Sequence, residues 1–282
     1  MSEQVVTRFA PSPTGYLHLG HVRSALEGWH ASRVAGGRFL LRLEDIDRTR
    51  CREEYASAIL EDLAWLGLEW DGPVRRQSNH FDDYRGALDR LAVLGVIYPC
   101  FCTRREIMAE IEGAGGAPQG SAGPLYPGTC RGLGPAERAE RQRAGLDYAL
   151  RLDLGRALAL TGPLDWFEEG GDATRQMSAE PELLGDVVLA RKDVPASYHL
   201  AVTVDDALQG VTLVTRGDDL MPATHIHRVL QALLGLPTPR YHHHPLLTDA
   251  AGRRLAKRDW ALTVRDMRAH GVSAAELIAR AR

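Results

Sequence analysis

Hydrophobic and polar positions alternate along this chain between two periods, and the switches mark its elements. Val5 to Ala10 is a short, mostly apolar run closed by prolines, which predicts a buried strand. From His21 to Ala35 the apolar positions recur at helical spacing, and after the Gly36-Gly37 turn Arg38 to Leu43 predicts a second strand. The chain therefore opens as a βαβ unit. Helical patterns return over Glu53–Leu66 and Asp82–Leu94, followed by a cysteine-bearing segment and a glycine- and proline-rich loop from Gly113 to Gly128. A second α/β stretch follows, with Tyr198–Val204 and Gly210–Val214 as predicted strands, Ala223–Leu234 as a helix and a helical tail from Ala261. No internal repeat interrupts this order.

Composition adds little to that picture. A chain of 282 residues holds one or two domains with a full core. No apolar run approaches the roughly 18 residues of a spanning helix, and Met1-Ser2-Glu3-Gln4 lacks the parts of a signal peptide. The expectation is a cytoplasmic protein without membrane contact. Net charge of −3 argues against a basic coat for non-specific nucleic-acid binding. The charge is uneven, however: from Arg240 to Arg282 nine Lys or Arg stand against four Asp or Glu. That excess suits either phosphate contact or a solvated basic face.

The chemistry concentrates in a few strings. Arg8 to His21 reads R-F-A-P-S-P-T-G-Y-L-H-L-G-H, a strand, a Pro/Gly turn and a helix start carrying His18 and His21. Backbone amides at a turn and a helix N-terminus attract phosphate, Gly15 and Gly20 allow close approach, and imidazoles donate to phosphoryl oxygens. This segment looks built to bind ATP; a strand–turn–helix whose histidines merely fill surface or core is the other reading. Cys100 and Cys102 form C-x-C, with Tyr126 and Cys130 in Y-P-G-T-C beyond the loop, while Cys51 stands apart. Clustered thiols suit a metal, but spacing alone leaves buried, incidental cysteines equally open. Cys51 reads as a half-buried helix cysteine without a partnering base. Glu44, in R-L-E-D-I-D, follows the second strand, where α/β ligands gather; an acidic surface turn is the other reading. His242, His243 and His244 are consecutive on a predicted strand, so they point to opposite faces and cannot converge on one ion without a bend. They are expected near the nucleotide.

R-F-A-P-S-P-T-G with H-L-G-H resembles the signature of class I aminoacyl-tRNA synthetases in the form used by the glutamyl and glutaminyl branch. The resemblance implies a Rossmann-like, doubly wound parallel α/β sheet with a zinc-bearing insertion and a short helical C-terminal tail. Its expected parts are 1–97 and 194–240 as halves of the nucleotide-binding domain, 98–193 as the insertion, and 241–282 as nucleotide loop and tail. It implies that His18 and His21 stabilise the ATP phosphates during adenylate formation. It further implies that Glu44 receives the α-ammonium of glutamate, with Arg8, Ala10, Ser12, Tyr198 and Arg216 completing the pocket. Forked guanidinium bonds to a second carboxylate favour glutamate over glutamine. G-R-R-L-A-K-R-D resembles the K-M-S-K-S loop, with Lys257 as its second lysine, Arg254 as its first and Ala256 as its first serine. Arg254, Lys257 and Gly20 are thus expected at ATP. One structural zinc per chain is implied at Cys100, Cys102, Tyr126 and Cys130.

The chain ends 24 residues after Arg258, without room for the anticodon-reading region of full glutamyl-tRNA synthetases. It resembles most their stand-alone truncated paralogues. That resemblance implies a monomeric ligase that uses ATP with Mg²⁺ to activate L-glutamate and transfers it to queuosine in the anticodon of tRNA(Asp). The alternatives are a minimal synthetase charging a tRNA 3′ end and a non-catalytic paralogue that keeps the glutamate and ATP pockets.

Overall fold

The computed structural model describes residues 4–113, 119–120, 123–170, 173–247 and 262–282. Strand β1 (Val6–Phe9), helix α1 (Leu19–Val34) and strand β2 (Arg38–Leu43) form the opening βαβ unit, followed by α2 (Glu53–Trp65), β3 (Arg75–Arg76) and α3 (Phe81–Val93). The middle of the chain contains β4 (Ile97–Cys100), α4 (Arg104–Gly113), β5 (Gln119–Gly120), β6 (Gly123–Pro124) and α5 (Pro135–Arg143). It continues through β7 (Ala149–Leu152), α6 (Leu154–Thr161), β8 (Asp165–Gly170), β9 (Ala173–Ser178) and β10 (Val188–Arg191). The last part holds α7 (Tyr198–Leu208), β11 (Leu213–Gly217), α8 (Met221–Leu234), β12 (Arg240–His244), α9 (Val264–Ala269) and α10 (Ala274–Ala281).

Two parallel ladders carry the fold. β1 pairs with β2 and β2 with β3, while β11 pairs with β12 across five registered residues. The ladders meet where Thr212 N–H donates to the Val6 carbonyl at 2.9 Å, which sets β1 beside β11. The strands are buried on both faces, so their residues alternate between two apolar clusters, one shared with helices and one with β8 and β9. Phe39, Leu41 and Leu43 join Val22, Ile59 and Leu277, whereas Leu40 and Val6 join Val214 and Tyr241. This explains why β2 reads as an unbroken apolar run. At Gly28 of α1, an added Cβ would lie 2.9 Å from Thr215 Oγ1, so only glycine lets the crossover helix sit this close to the sheet.

Within 98–193 the antiparallel sheet β10-β7-β4 stands apart from the parallel strands, whereas β8 pairs with β12 at Glu168 and Tyr241. The strand expected over Tyr198–Val204 is instead the start of α7, capped by the Ser197 hydroxyl. Every residue from Leu200 to Asp206 is buried, so no polar face marks the helical period and the run imitates a strand. The strand expected at Gly210–Val214 begins later, at Leu213, because Gly210 takes a φ of +65° as the chain leaves α7. Cys51 precedes α2 rather than lying in it, and burial pushes its thiol up to about 11.

Candidate active site

The N-terminus of α1 is closed by its two histidines. His18 is the N-cap: Gly20 N–H donates to its Nδ1 at 3.1 Å, and His18 N–H donates to His21 Nδ1 at 3.2 Å. Because both Nδ1 atoms accept, the ring protons belong on Nε2. The rings lie 3.8 Å apart, and a Cβ at Gly20 would sit 3.1 Å from the His18 ring. The helix start thus combines the positive end of a helix dipole with two adjoining imidazoles tilted 30° to one another, a set of groups suited to polyphosphate.

Behind it lies a buried charge network. Arg8 Nε donates to Asp206 Oδ1 at 2.9 Å, and Arg42 Nη1 reaches the same oxygen at 2.8 Å. Burial raises the Asp206 carboxyl, but these two guanidiniums outweigh it and hold the group below its ordinary value. Glu44 fares differently. Among the described residues it takes only a long bond from Arg42, at 3.4 Å, and burial leaves its carboxyl raised. A cation brought to Glu44 would restore its charged form.

Arg216, on β11, has the opposite need. It is buried, and its guanidinium donates to His243 Nε2 at 3.1 Å, the Tyr198 hydroxyl at 3.0 Å and Thr224 Oγ1 at 2.5 Å. None of these partners is an anion. Burial and the nearby Arg216 charge lower the pKa of His227, and His199 falls to about 4. Arg216 is therefore a buried cation among neutral groups, a strong attractor for a carboxylate.

Arg8, Ala10, Ser12, His18, Gly20, His21, Glu44, Tyr198 and Arg216 all line one cavity of about 850 Å³. Arg254 and Lys257 lie outside the described residues. The cysteine cluster is a second, separate site. Cys102 Sγ lies 3.4 Å from Cys130 Sγ, Cys100 Sγ lies 3.2 Å from the Tyr126 hydroxyl, and the three sulfurs fall within 4.8 Å of one another. Burial pushes the Cys102 thiol up to about 12 and raises the Tyr126 phenol, whereas at Cys130 the opposing effect of burial is outweighed by the hydrogen bonds its sulfur takes from Phe101, Cys102 and Tyr126, and that thiol lies below its ordinary value. Three thiols and a phenol at these separations fit the donors of a small tetrahedral metal ion.

Residues 4–280 match the family of tRNA synthetases class I (E and Q), catalytic domain. The chain belongs to this family. It is 51% identical to the Rhodobacter capsulatus protein named Glutamyl-Q tRNA(Asp) synthetase, over 97% of this chain and 98% of that relative. A Nocardia farcinica protein of the same name is 47% identical, over 96% of this chain and 82% of its own length. Among solved structures, a glutamate tRNA ligase from Elizabethkingia meningosepticum, in complex with its amino acid, is similar with a TM-score of 0.77 and 29% identity. The match covers 92% of this chain and 53% of that ligase, so the chain spans about half its length.

As a class I synthetase catalytic domain of the E and Q type, the chain lines the cavity with the string that runs from Arg8 to His21. Several residues that shape the cavity were silent in the sequence. Asp206, Thr224 and His227 are buried polar positions on α7 and α8, and a polar residue in an apolar helical pattern carries no mark of what it faces. The three consecutive histidines divide as strand geometry requires: His243 meets Arg216, while His244 Nε2 lies 3.0 Å from the Ser24 hydroxyl. None of the three lines the cavity itself, but His243 and His244 touch Arg216 and Ser24, which do.

Proposed function

We propose that this chain activates L-glutamate with ATP and passes the glutamyl group to queuosine in the anticodon of tRNA(Asp). The observation that carries the glutamate reading is the pairing, in one cavity, of an under-neutralised Glu44 with an uncompensated Arg216. The amino acid's ammonium meets Glu44 and its side-chain carboxylate meets Arg216, with Arg8, Ala10, Ser12 and Tyr198 closing the pocket. An α-carboxylate oxygen attacks the ATP α-phosphorus and the bond to the bridging oxygen breaks. Pyrophosphate leaves with the Mg²⁺ that entered with the nucleotide. His18 and His21, through Nε2–H, spread the charge of the five-coordinate phosphorus, and Gly20, without a side chain, leaves room for the His18 ring beside the ATP phosphates. Arg254 and Lys257, from the K-M-S-K-S-like string, are proposed to neutralise the departing phosphates.

In the second step a hydroxyl of the queuosine cyclopentenediol attacks the glutamyl carbonyl, loses its proton and displaces AMP. The acceptor is supported by relatives named Glutamyl-Q tRNA(Asp) synthetase that match over most of their length. Cys100, Cys102, Tyr126 and Cys130 are proposed to hold one structural zinc, which would tie the two cysteine segments together without taking part in the reaction. No helix among the described residues is long and apolar enough to cross a membrane. We place the enzyme in the cytoplasm, with its tRNA, as a monomer.

The test is ATP-dependent transfer of labelled glutamate to tRNA from queuosine-containing and queuosine-deficient cells, with periodate controls for the 3′ ribose and for the queuosine diol. Label confined to queuosine-containing tRNA(Asp) is the expected result. Equal 3′-end labelling of both pools would make the protein a glutamyl-tRNA synthetase. Absence of glutamate-dependent pyrophosphate exchange would make it a binding protein.

A further inference from the structure

We infer that Glu168 and His243 are positioning residues for Arg216, holding its guanidinium in a cradle of neutral acceptors so that a substrate carboxylate, and not an amide, completes its charge. The inference rests on the glutamate reading given above. Its observations lie outside the cavity wall. His243 Nε2 accepts from Arg216 Nε at 3.1 Å, so its ring proton belongs on Nδ1, which faces Glu168 Oε2 at 2.9 Å. Glu168 is itself fixed: its Oε1 accepts from His243 N–H at 2.7 Å, and its Oε2 accepts from Trp166 Nε1 at 3.2 Å. The His243 ring is fully buried and parallel to Tyr241, with 2° between planes.

The remaining guanidinium bonds complete the cradle. Nη1 meets the Tyr198 hydroxyl at 3.0 Å and His227 Nδ1 at 3.4 Å, and Nη2 meets Thr224 Oγ1 at 2.5 Å. Four of five N–H bonds are thereby satisfied without a countercharge. A carboxylate placed directly on Arg216 would fix it equally well but would cancel its pull on a ligand. Glu168 avoids this because it acts through a neutral imidazole, setting that ring's tautomer while staying one residue removed. It comes from β8, a strand in the middle of the chain, so the β8–β9 pair takes part in selecting the amino acid although it does not touch it.

The experiment measures glutamate- and glutamine-dependent pyrophosphate exchange for His243→Phe, Glu168→Ala, Glu168→Gln and the double variant H243F/E168A, with thermal unfolding alongside. H243F keeps the stacked ring and removes the acceptor. It and E168A should each raise the glutamate KM about tenfold with the ATP KM unchanged, the size expected for one hydrogen bond to a charged group. The double variant should be no worse than H243F, because Glu168 works through that ring. E168Q should fall between wild type and E168A, since its amide oxygen still accepts from Nδ1–H while its amide nitrogen, a donor, replaces the oxygen that accepts from the His243 N–H. Effects that multiply, an ATP KM that rises in parallel, or an E168Q as impaired as E168A would overturn the inference.

A second pair guards against misfolding. Thr224→Asn and Thr224→Asp have nearly the same shape, but only the aspartate puts a negative charge beside Arg216. T224D should lose at least tenfold of its preference for glutamate over glutamine relative to T224N; equal preferences would overturn the charge argument. If the wild-type protein shows no glutamate-dependent exchange, the functional reading itself fails, a result separable from exchange that is present but insensitive to these changes.

Discussion

Arg216 illustrates how a single side chain sets the character of a site. Its guanidinium is buried without an ion pair among the described residues, which a fold tolerates only where hydrogen bonds or a ligand make up the lost hydration. Arg216→Gln is expected to lower kcat/KM for glutamate by two orders of magnitude or more, measured by pyrophosphate exchange, since about 3 kcal/mol of charge-assisted bonding is lost. Arg8 and Glu44 could be read from their strings through resemblance, yet their different burdens could not. That difference depends on Asp206, which lies far along the chain and neutralises Arg8 but leaves Glu44 raised. Asp62 is a second residue-scale case. It is fully buried in the last turn of α2, where the helix dipole disfavours an anion, and neither of its oxygens has a hydrogen-bond partner. Burial raises its carboxyl from 3.8 to about 6. A carboxyl that binds its proton more tightly in the folded state weakens the fold as pH rises through that interval, and the loss is complete above about pH 6. Asp62→Asn should therefore stabilise the protein by about 1–3 kcal/mol at pH 8 and by little near pH 4, read from urea unfolding at the two pH values. No gain at pH 8 would show that Asp62 is neutralised in another way.

Elements turn these residues into geometry. The N-terminus of α1 was legible because a Pro/Gly turn before a helix is local, and its histidines fall on the first turn by spacing alone. α7 was not legible, because burial on all sides removes the polar face by which a helix is recognised. At α1 the cap and the chemistry are carried by one residue, and they can be separated. His18→Asn keeps a side-chain oxygen able to accept from the second or third amide of the helix, whereas His18→Ala does not. H18A should lose about 1 kcal/mol of stability that H18N largely retains, while both should lose about 10²–10³ in exchange kcat if the imidazole stabilises the phosphorane. An H18N variant with wild-type turnover would reduce His18 to a cap. The cysteine segments behave as an independent element. Metal analysis of purified protein is expected to find one zinc per chain, and Cys130→Ser should lose it. Hydrogen-exchange protection around Cys100 to Cys102 should fall while glutamate-dependent exchange persists, because the cluster does not line the cavity.

At the scale of the whole molecule, the end of the chain completes the core of its beginning. Leu277 of α10 is fully buried among Val22, Ala25 and Leu63, and α9 adds Val264 and Met267 to the same cluster. The contact continues into the site: Val264 N–H donates to the Leu17 carbonyl at 2.8 Å, and Thr263 bridges to His18, the cap of α1. Leu247 and Leu262, which flank the K-M-S-K-S-like string, both line the cavity. The hydrophobic pattern predicted a helical tail, but pattern alone gives a helix no address, and only the fold puts this one against α1. A defect at Leu277 should therefore act on the nucleotide before it acts on the amino acid. Leu277→Ala is expected to cost about 2–5 kcal/mol of stability through lost burial and a residual cavity. It should raise the KM for ATP several-fold, with the KM for glutamate nearly unchanged, because Glu44 and Arg216 are held by β2 and β11 and not by the tail. Steady-state exchange at fixed saturating levels of each substrate separates the two. Equal rises in both constants would mean that the tail supports the sheet as a whole, whereas an effect confined to ATP would make the C-terminal helices part of the nucleotide site.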